Sequence, residues 1–186
     1  MVRSFIAIDI EDENIRSKIA SIGKVLEATG ARLKLVEPHN LHITIRFLGE
    51  ISQKEVESIK QVLANSVKNF SKFNIIIEGM GAFPTISRPR VLWLGISKGK
   101  ESLINLANTI NRRIDLLGYK KDKEFVPHVT IARVKRFNSA LINAINNYKN
   151  ILIGETEVKS VRLKKSVLTP SGPIYSTLYE VKLSES

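Results

Sequence analysis

The chain opens on an apolar run, Phe5–Ile10, and then changes period. From Glu13 to Thr29 the apolar residues fall at Ile15, Ile19, Ile22 and Leu26, the spacing of an amphipathic helix. Gly30 stands just past it, where a C-terminal glycine belongs. A strand follows over Leu41–Leu48, then a helix over Gln53–Asn69 with Ser52 as its N-cap, then a long strand over Phe73–Phe83. The same order returns in the second half. A strand at Val91–Ile96 leads to a helix over Glu101–Leu117, with apolar positions Leu103, Ala107, Ile110 and Ile114, and then to Gly118. Next come a strand over His128–Val134, a helix over Ser139–Lys149 capped by Asn138, a long strand over Glu157–Thr169 and a last strand over Ile174–Leu183.

The two halves align with each other at an offset of 86 residues. Leu41-His42-Ile43-Thr44-Ile45 falls on Pro127-His128-Val129-Thr130-Ile131, and Ile75, Ile77 and Pro84 fall on Val161, Leu163 and Pro170. Only the first helix of each half needs a shift, of about two residues, to match. Apolar matches follow from any pair of cores, but His, Thr and Pro at one offset do not, so the pattern reads as a divergent duplication. The expected class is α+β, a single bilobal domain over 1–186 with repeat halves of about 1–86 and 87–186. Two similar lobes are expected, each an antiparallel-rich sheet with helices, around a central cleft. The stretch Pro84–Pro89 is the expected joint.

Composition narrows the chemistry. With 186 residues the chain buries a core without staples, and 43% hydrophobic with 25% charged residues excludes a largely disordered chain. Cysteine is absent, which excludes disulfides, thiolate metal sites and cysteine nucleophiles. Lys and Arg total 29 against 18 Asp and Glu, a net +11 that suits a polyanionic partner such as RNA. No apolar run is long enough to span a membrane, and the N-terminus reads as a strand rather than a signal peptide, so a cytoplasmic protein is expected.

The two His-x-Thr strands carry the chemistry. Residues i and i+2 of a strand share a face, so His42 and Thr44 point one way while Ile43, Ile45 and Phe47 point toward a core. His128 and Thr130 do the same against Val129 and Ile131. With eight threonines in 186 residues, one such tripeptide says little, whereas two of three histidines at the repeat offset are a signal. His39, with Phe125 at the equivalent position, reads as a solvated loop residue. Two imidazoles supply a general acid and a general base at neutral pH, and two hydroxyls can donate to phosphoryl oxygens. Two histidines with no acidic companion at ligand spacing are a thin shell for a metal, so no metal and no cofactor is expected. The residues alone leave open which histidine is acid and which is base.

The paired motifs His42-Ile43-Thr44-Ile45 and His128-Val129-Thr130-Ile131 resemble the HxTx motifs of the 2H phosphoesterase superfamily. The segments RSFIAIDI, EPHNLHITIRFLGEI, RVLWLGI, FVPHVTIARVK and LKKSVLTPSGPIY are similar, in order, to its RNA 2′,3′-cyclic phosphodiesterase branch, also called 2′-5′ RNA ligases. The resemblance implies a two-lobed α+β fold with both motifs lining a groove. It implies metal-independent hydrolysis of a terminal 2′,3′-cyclic phosphate to a 2′-phosphate, with 2′-5′ ligation as its reversal. It makes His42 the proton donor, His128 the proton acceptor, and Thr44 and Thr130 the phosphate ligands. The implied partners are RNA ends carrying the cyclic phosphate, tRNA fragments among them, met by a monomer. The competing readings are a non-catalytic RNA-end-binding module and a 2H enzyme acting on a small 2′-5′ or cyclic nucleotide.

Two arginines are candidate RNA contacts. Arg46 shares parity with His42 and Thr44, which places it on the cleft face. Arg133 has odd parity to His128 and points away unless the strand bulges, although the resemblance favours an arginine there. Lys164 and Lys165 are candidates for steering RNA by their field, a solvated hairpin face being the alternative.

Overall fold

A computed structural model of the chain describes residues 1–185. The described elements run β1 (Val2–Asp9), α1 (Glu13–Glu27), β2 (Arg32–Leu35), β3 (His42–Ile51), α2 (Gln53–Ser66), β4 (Phe73–Thr85) and β5 (Arg88–Ile96). They continue with α3 (Lys100–Leu116), β6 (His128–Arg136), α4 (Ser139–Asn147), β7 (Leu152–Val158), β8 (Ser160–Thr169) and β9 (Gly172–Lys182). Three of the four helices, α1, α2 and α4, start where a side chain satisfies a free N–H group. The Ile15 amide donates to Asp12 Oδ1 at 2.9 Å and the Leu141 amide to Asn138 Oδ1 at 2.8 Å. Ser52 and Glu55 form a reciprocal capping box at 3.2 and 2.7 Å. Gly30 and Gly118, at φ 85° and 94°, turn the chain out of α1 and α3 in the left-handed region that favours glycine.

The strands form two antiparallel sheets, one in the order β3-β1-β8-β9 and the other β2-β6-β5-β4-β7. Apolar residues of both sheets and all four helices, among them Ile19, Ile59, Ile110 and Ile145, join one core. The α+β class with two similar sheets is therefore as read from the sequence, but the lobes are not the halves. Strands β3-β1 occupy the place in the first sheet that their repeat equivalents β6-β5 occupy in the second. The strand beside each pair comes from the opposite half: β8 pairs with β1, and β4 pairs with β5. The duplication is interleaved.

Three local readings change with it. The long strand expected over Glu157–Thr169 is two strands in different sheets, because the chain crosses from one sheet to the other at Lys159. Both Val158 and Ser160 are buried, one in each sheet, with the single residue Lys159 between them. Pro84–Pro89 is the tip of the β4–β5 hairpin rather than a linker. The short strand β2, unread in the sequence, adds an edge beside β6.

Candidate active site

Both histidines open their strands, His42 at β3 and His128 at β6, and these two strands pack against each other between the sheets. Each imidazole is held the same way. The Nδ1–H of His42 donates to the Asn40 carbonyl at 2.7 Å, and that of His128 to the Val126 carbonyl at 2.6 Å. A carbonyl can only accept, so each contact places a proton on Nδ1 and leaves Nε2 to do chemistry. Nε2 of His42 lies 2.9 Å from Thr44 Oγ1. In the neutral ring it accepts from that hydroxyl. Burial pushes the His42 pKa below its ordinary value. The Asn40 carbonyl and the Asp9 carboxylate oppose this, while the charges of Lys164 and His128 add to it. His128 is thus within electrostatic reach of His42.

Aromatic rings wall in both imidazoles. Phe5 and Tyr175 lie 5.1 and 5.6 Å from the His42 ring centre, and Phe83 and Trp93 lie 5.2 and 6.5 Å from that of His128. Close under Trp93 lies Gly81, its partner across the β4–β5 pair, where an added Cβ would meet the indole.

Each motif strand then bulges at the same point. Against β1, Thr44 faces Ala7 and Arg46 faces Ile6, so Ile45 has no opposite number. Against β5, Thr130 faces Trp93 and Ala132 faces Leu92, so Ile131 has none. One extra residue reverses the alternation beyond it. Arg46 consequently turns away from the histidine face, correcting its expected place in the cleft. It is 3% exposed and donates to Asp115 Oδ1 at 2.8 Å, to the Lys120 carbonyl at 2.7 Å and to Asn111 Oδ1 at 3.3 Å. Phe47, expected in the core, turns onto the histidine face and is 63% exposed, its ring 6.0 Å from Phe5. Arg133 turns onto that face by the same device and is exposed. Burial pushes the Tyr175 phenol up, and the charges of Arg133 and Arg3 oppose it, which puts Arg133 within reach of the ring beside His42.

Beside His42 lies an ion cluster that spacing alone did not reveal. Asp9, opposite His42 in the β1–β3 register, accepts from Arg162 at 2.6 Å and from Lys164 at 2.8 Å. Burial works to raise its pKa, but Lys164 and then Arg162 outweigh it and hold the carboxyl below the usual range. Lys164 is only 8% exposed, so it neither steers RNA from the surface nor belongs to a solvated face. His39 is exposed, on a single 3-10 turn, as the sequence suggested. Its neighbour Asn40 is a residue that reading missed. Besides offering its carbonyl to His42, it donates from Nδ2 to the Pro173 carbonyl at 3.3 Å, tying the β8–β9 turn to the histidine. Among the described residues no group of three or more His, Cys, Asp or Glu side chains is placed to hold a metal ion.

The model of the LigT like Phosphoesterase family matches residues 8–93 and again 94–175, two spans that begin at the 86-residue offset of the repeat. The chain belongs to this family. Members similar over nearly their whole length include an RNA 2′,3′-cyclic phosphodiesterase of Archaeoglobus fulgidus, 42% identical across 95% of this chain and 98% of that one. Another, from Aeropyrum pernix, carries the same name and is 41% identical across 91% and 97%. The crystal structure of TT0787 of Thermus thermophilus superposes with a TM-score of 0.81 at 28% identity, covering 99% of this chain and all of that one. LigT of E. coli complexed with 3′-AMP does so with a TM-score of 0.75 at 25% identity, covering 98% and 97%. Members of the family thus share the interleaved two-sheet fold, and one has been solved with a nucleotide.

Proposed function

We propose that the protein is a metal-independent RNA 2′,3′-cyclic phosphodiesterase that opens the cyclic phosphate at an RNA 3′ end to a 2′-phosphate. The observation that carries this is the twin clamp: both imidazoles have Nδ1 committed to a backbone carbonyl two residues earlier, which leaves Nε2 of each available for proton transfer. The names of relatives about 40% identical over nearly full length support the same substrate.

In this reading His128 Nε2 takes a proton from water as its oxygen attacks phosphorus. The bond from phosphorus to O3′ breaks, and O3′ takes the proton carried by His42 Nε2. The product has a 2′-phosphate and a free 3′-hydroxyl, with His42 neutral and His128 charged until solvent restores the pair. His42 is disfavoured as a cation while the cleft is empty, but a bound phosphodiester anion favours the imidazolium and so charges the donor when substrate arrives. Protonated His42 no longer accepts from Thr44, whose hydroxyl is then free to donate to phosphate together with Thr130. Phe47 and Arg133, each five residues past its histidine and on its face, flank the groove. They offer a ring face and a planar cation to the terminal base. The same attack with a 5′-hydroxyl in place of water, again expelling O3′, gives a 2′-5′ linkage. The reading extends to a monomer working in the cytoplasm on RNA ends such as those of cleaved tRNA.

The test is hydrolysis of a short RNA ending in a 2′,3′-cyclic phosphate, with EDTA present, by wild type, His42→Ala and His128→Ala. The expected product ends in a 2′-phosphate, and each variant loses about 10²–10⁴ in kcat. Binding without turnover by the wild type points instead to an end-binding module. Activity that survives both substitutions removes the two-histidine mechanism.

A further inference from the structure

The bulge that buries Arg46 also builds a second feature beside the cleft. Arg46 reaches across to Asp115 in the last turn of α3 and to the Lys120 carbonyl in the segment between α3 and β6. One residue earlier, the Tyr119 hydroxyl donates to Glu55 Oε1 at 3.0 Å. Burial, and then Glu55, push that phenol up to about 12, so it remains a donor throughout the working pH range. The segment is thereby fixed at its base, and what it presents outward is Lys120, Lys121 and Lys123, all exposed. These three residues, with Arg46, Phe47 and Asp122, line a groove of about 450 Å³.

The charge in this groove is unbalanced. Among the described residues none of the three ammonium groups has an ion-pair partner. The one acid present, Asp122, turns an oxygen to the Lys123 amide at 2.8 Å. One wall is the exposed ring of Phe47, which stands on the strand and face that carry His42 and Thr44. At ~3.3 Å per residue, Phe47 is roughly 10 Å along β3 from Thr44. An RNA whose 3′ end reacts at the histidines must leave the cleft through its 5′ side, and its next phosphates need cations within that range.

We propose that the Lys120–Lys123 groove is a subsite for the backbone phosphates just upstream of the reacting nucleotide. It makes the enzyme selective for oligonucleotide ends over cyclic mononucleotides. The inference rests on the proposed phosphodiesterase activity and adds the part of the substrate outside the catalytic groove. Few aromatic residues are available for further stacking, so recognition is short: the reacting nucleotide and its immediate neighbours.

The experiment compares kcat/KM for an RNA oligonucleotide ending in a 2′,3′-cyclic phosphate with that for 2′,3′-cyclic AMP. Both are measured from low to moderate salt, for wild type, Lys120→Gln/Lys121→Gln/Lys123→Gln and the matching triple Arg variant. The expected result is a loss on the order of tenfold for the oligonucleotide in the Gln variant only. Its salt dependence should flatten by about 0.7 in log–log slope for each lysine that faces a phosphate, with cyclic AMP hydrolysis unchanged. The Arg variant keeps the charge and should keep oligonucleotide activity. Equal losses on both substrates, or no loss on either, overturn the subsite while leaving the phosphodiesterase reading intact. Absence of turnover of both substrates by the wild type overturns the activity itself.

Discussion

His42 is a half-buried imidazole with a carbonyl on one nitrogen and a hydroxyl on the other. Burial suits the neutral ring and outweighs the Asn40 carbonyl and the Asp9 carboxylate, which favour the cation. Its pKa in the folded protein therefore lies below 6.5, the value the unfolded chain retains. As pH falls the unfolded state takes up this proton first. The stability that neutral His42 contributes is thus complete above about 6.5 and is lost as pH falls through the lower folded value. An NMR titration of the free protein should give His42 a midpoint below 6.5, and saturation with a nucleotide 2′-phosphate should move it up. His42→Gln should weaken the loss of stability between about pH 7 and pH 5. A midpoint at or above 6.5 in the free protein would contradict the burial argument and with it the idea that substrate charges the donor.

At the scale of elements, the decisive features are the paired bulges in β3 and β6. Simple alternation reads His42, Thr44 and Arg46 as one face, and it fails one residue past each threonine. The repeat held a trace of this. At the 86-residue offset Arg46 falls on Ala132 and Phe47 on Arg133, pairings that make sense once the first of each pair is inward and the second outward. Helices were legible because their caps and spacing are local: Ser52 and Asn138 act within three residues of themselves. Bulges, the short edge β2 and the crossing at Lys159 depend on partner strands far away in sequence, which no local pattern encodes. The bulges make a testable contrast. Arg46→Met leaves Asp115 and the Lys120 carbonyl without their donor and should cost about 2–4 kcal/mol in denaturant unfolding. Arg133→Met should stay within about 0.5 kcal/mol of wild type in stability, yet lower kcat/KM about tenfold. If Arg46→Met unfolds like wild type and only raises KM, then the simple alternation was right for that strand.

For the whole molecule, interleaving decides what the duplication means. A cut at the tip of the β4–β5 hairpin, between Ile86 and Ser87, separates the two sequence repeats. If the repeats were lobes, each would keep its own sheet. Here the 1–86 piece keeps only the β1–β3 pair, and β4 loses both neighbours, β5 and β7. The 87–186 piece keeps β5–β6 and β8–β9, but loses the strands that join them into sheets. Each catalytic motif would also lose part of its setting. His42 loses Tyr175 and the Pro173 contact of Asn40, and His128 loses Phe83. Either half alone should therefore lack a cooperative transition by circular dichroism, because each exposes core edges that only the other half covers. Mixed in equal amounts, the halves should recover the cooperative transition and turnover of the cyclic phosphate together, since the same cross-pairings complete both the sheets and the site. Independent cooperative folding of either half would show that the shared strands are not what stabilises it, and the two-histidine groove would then be a contact between preformed lobes.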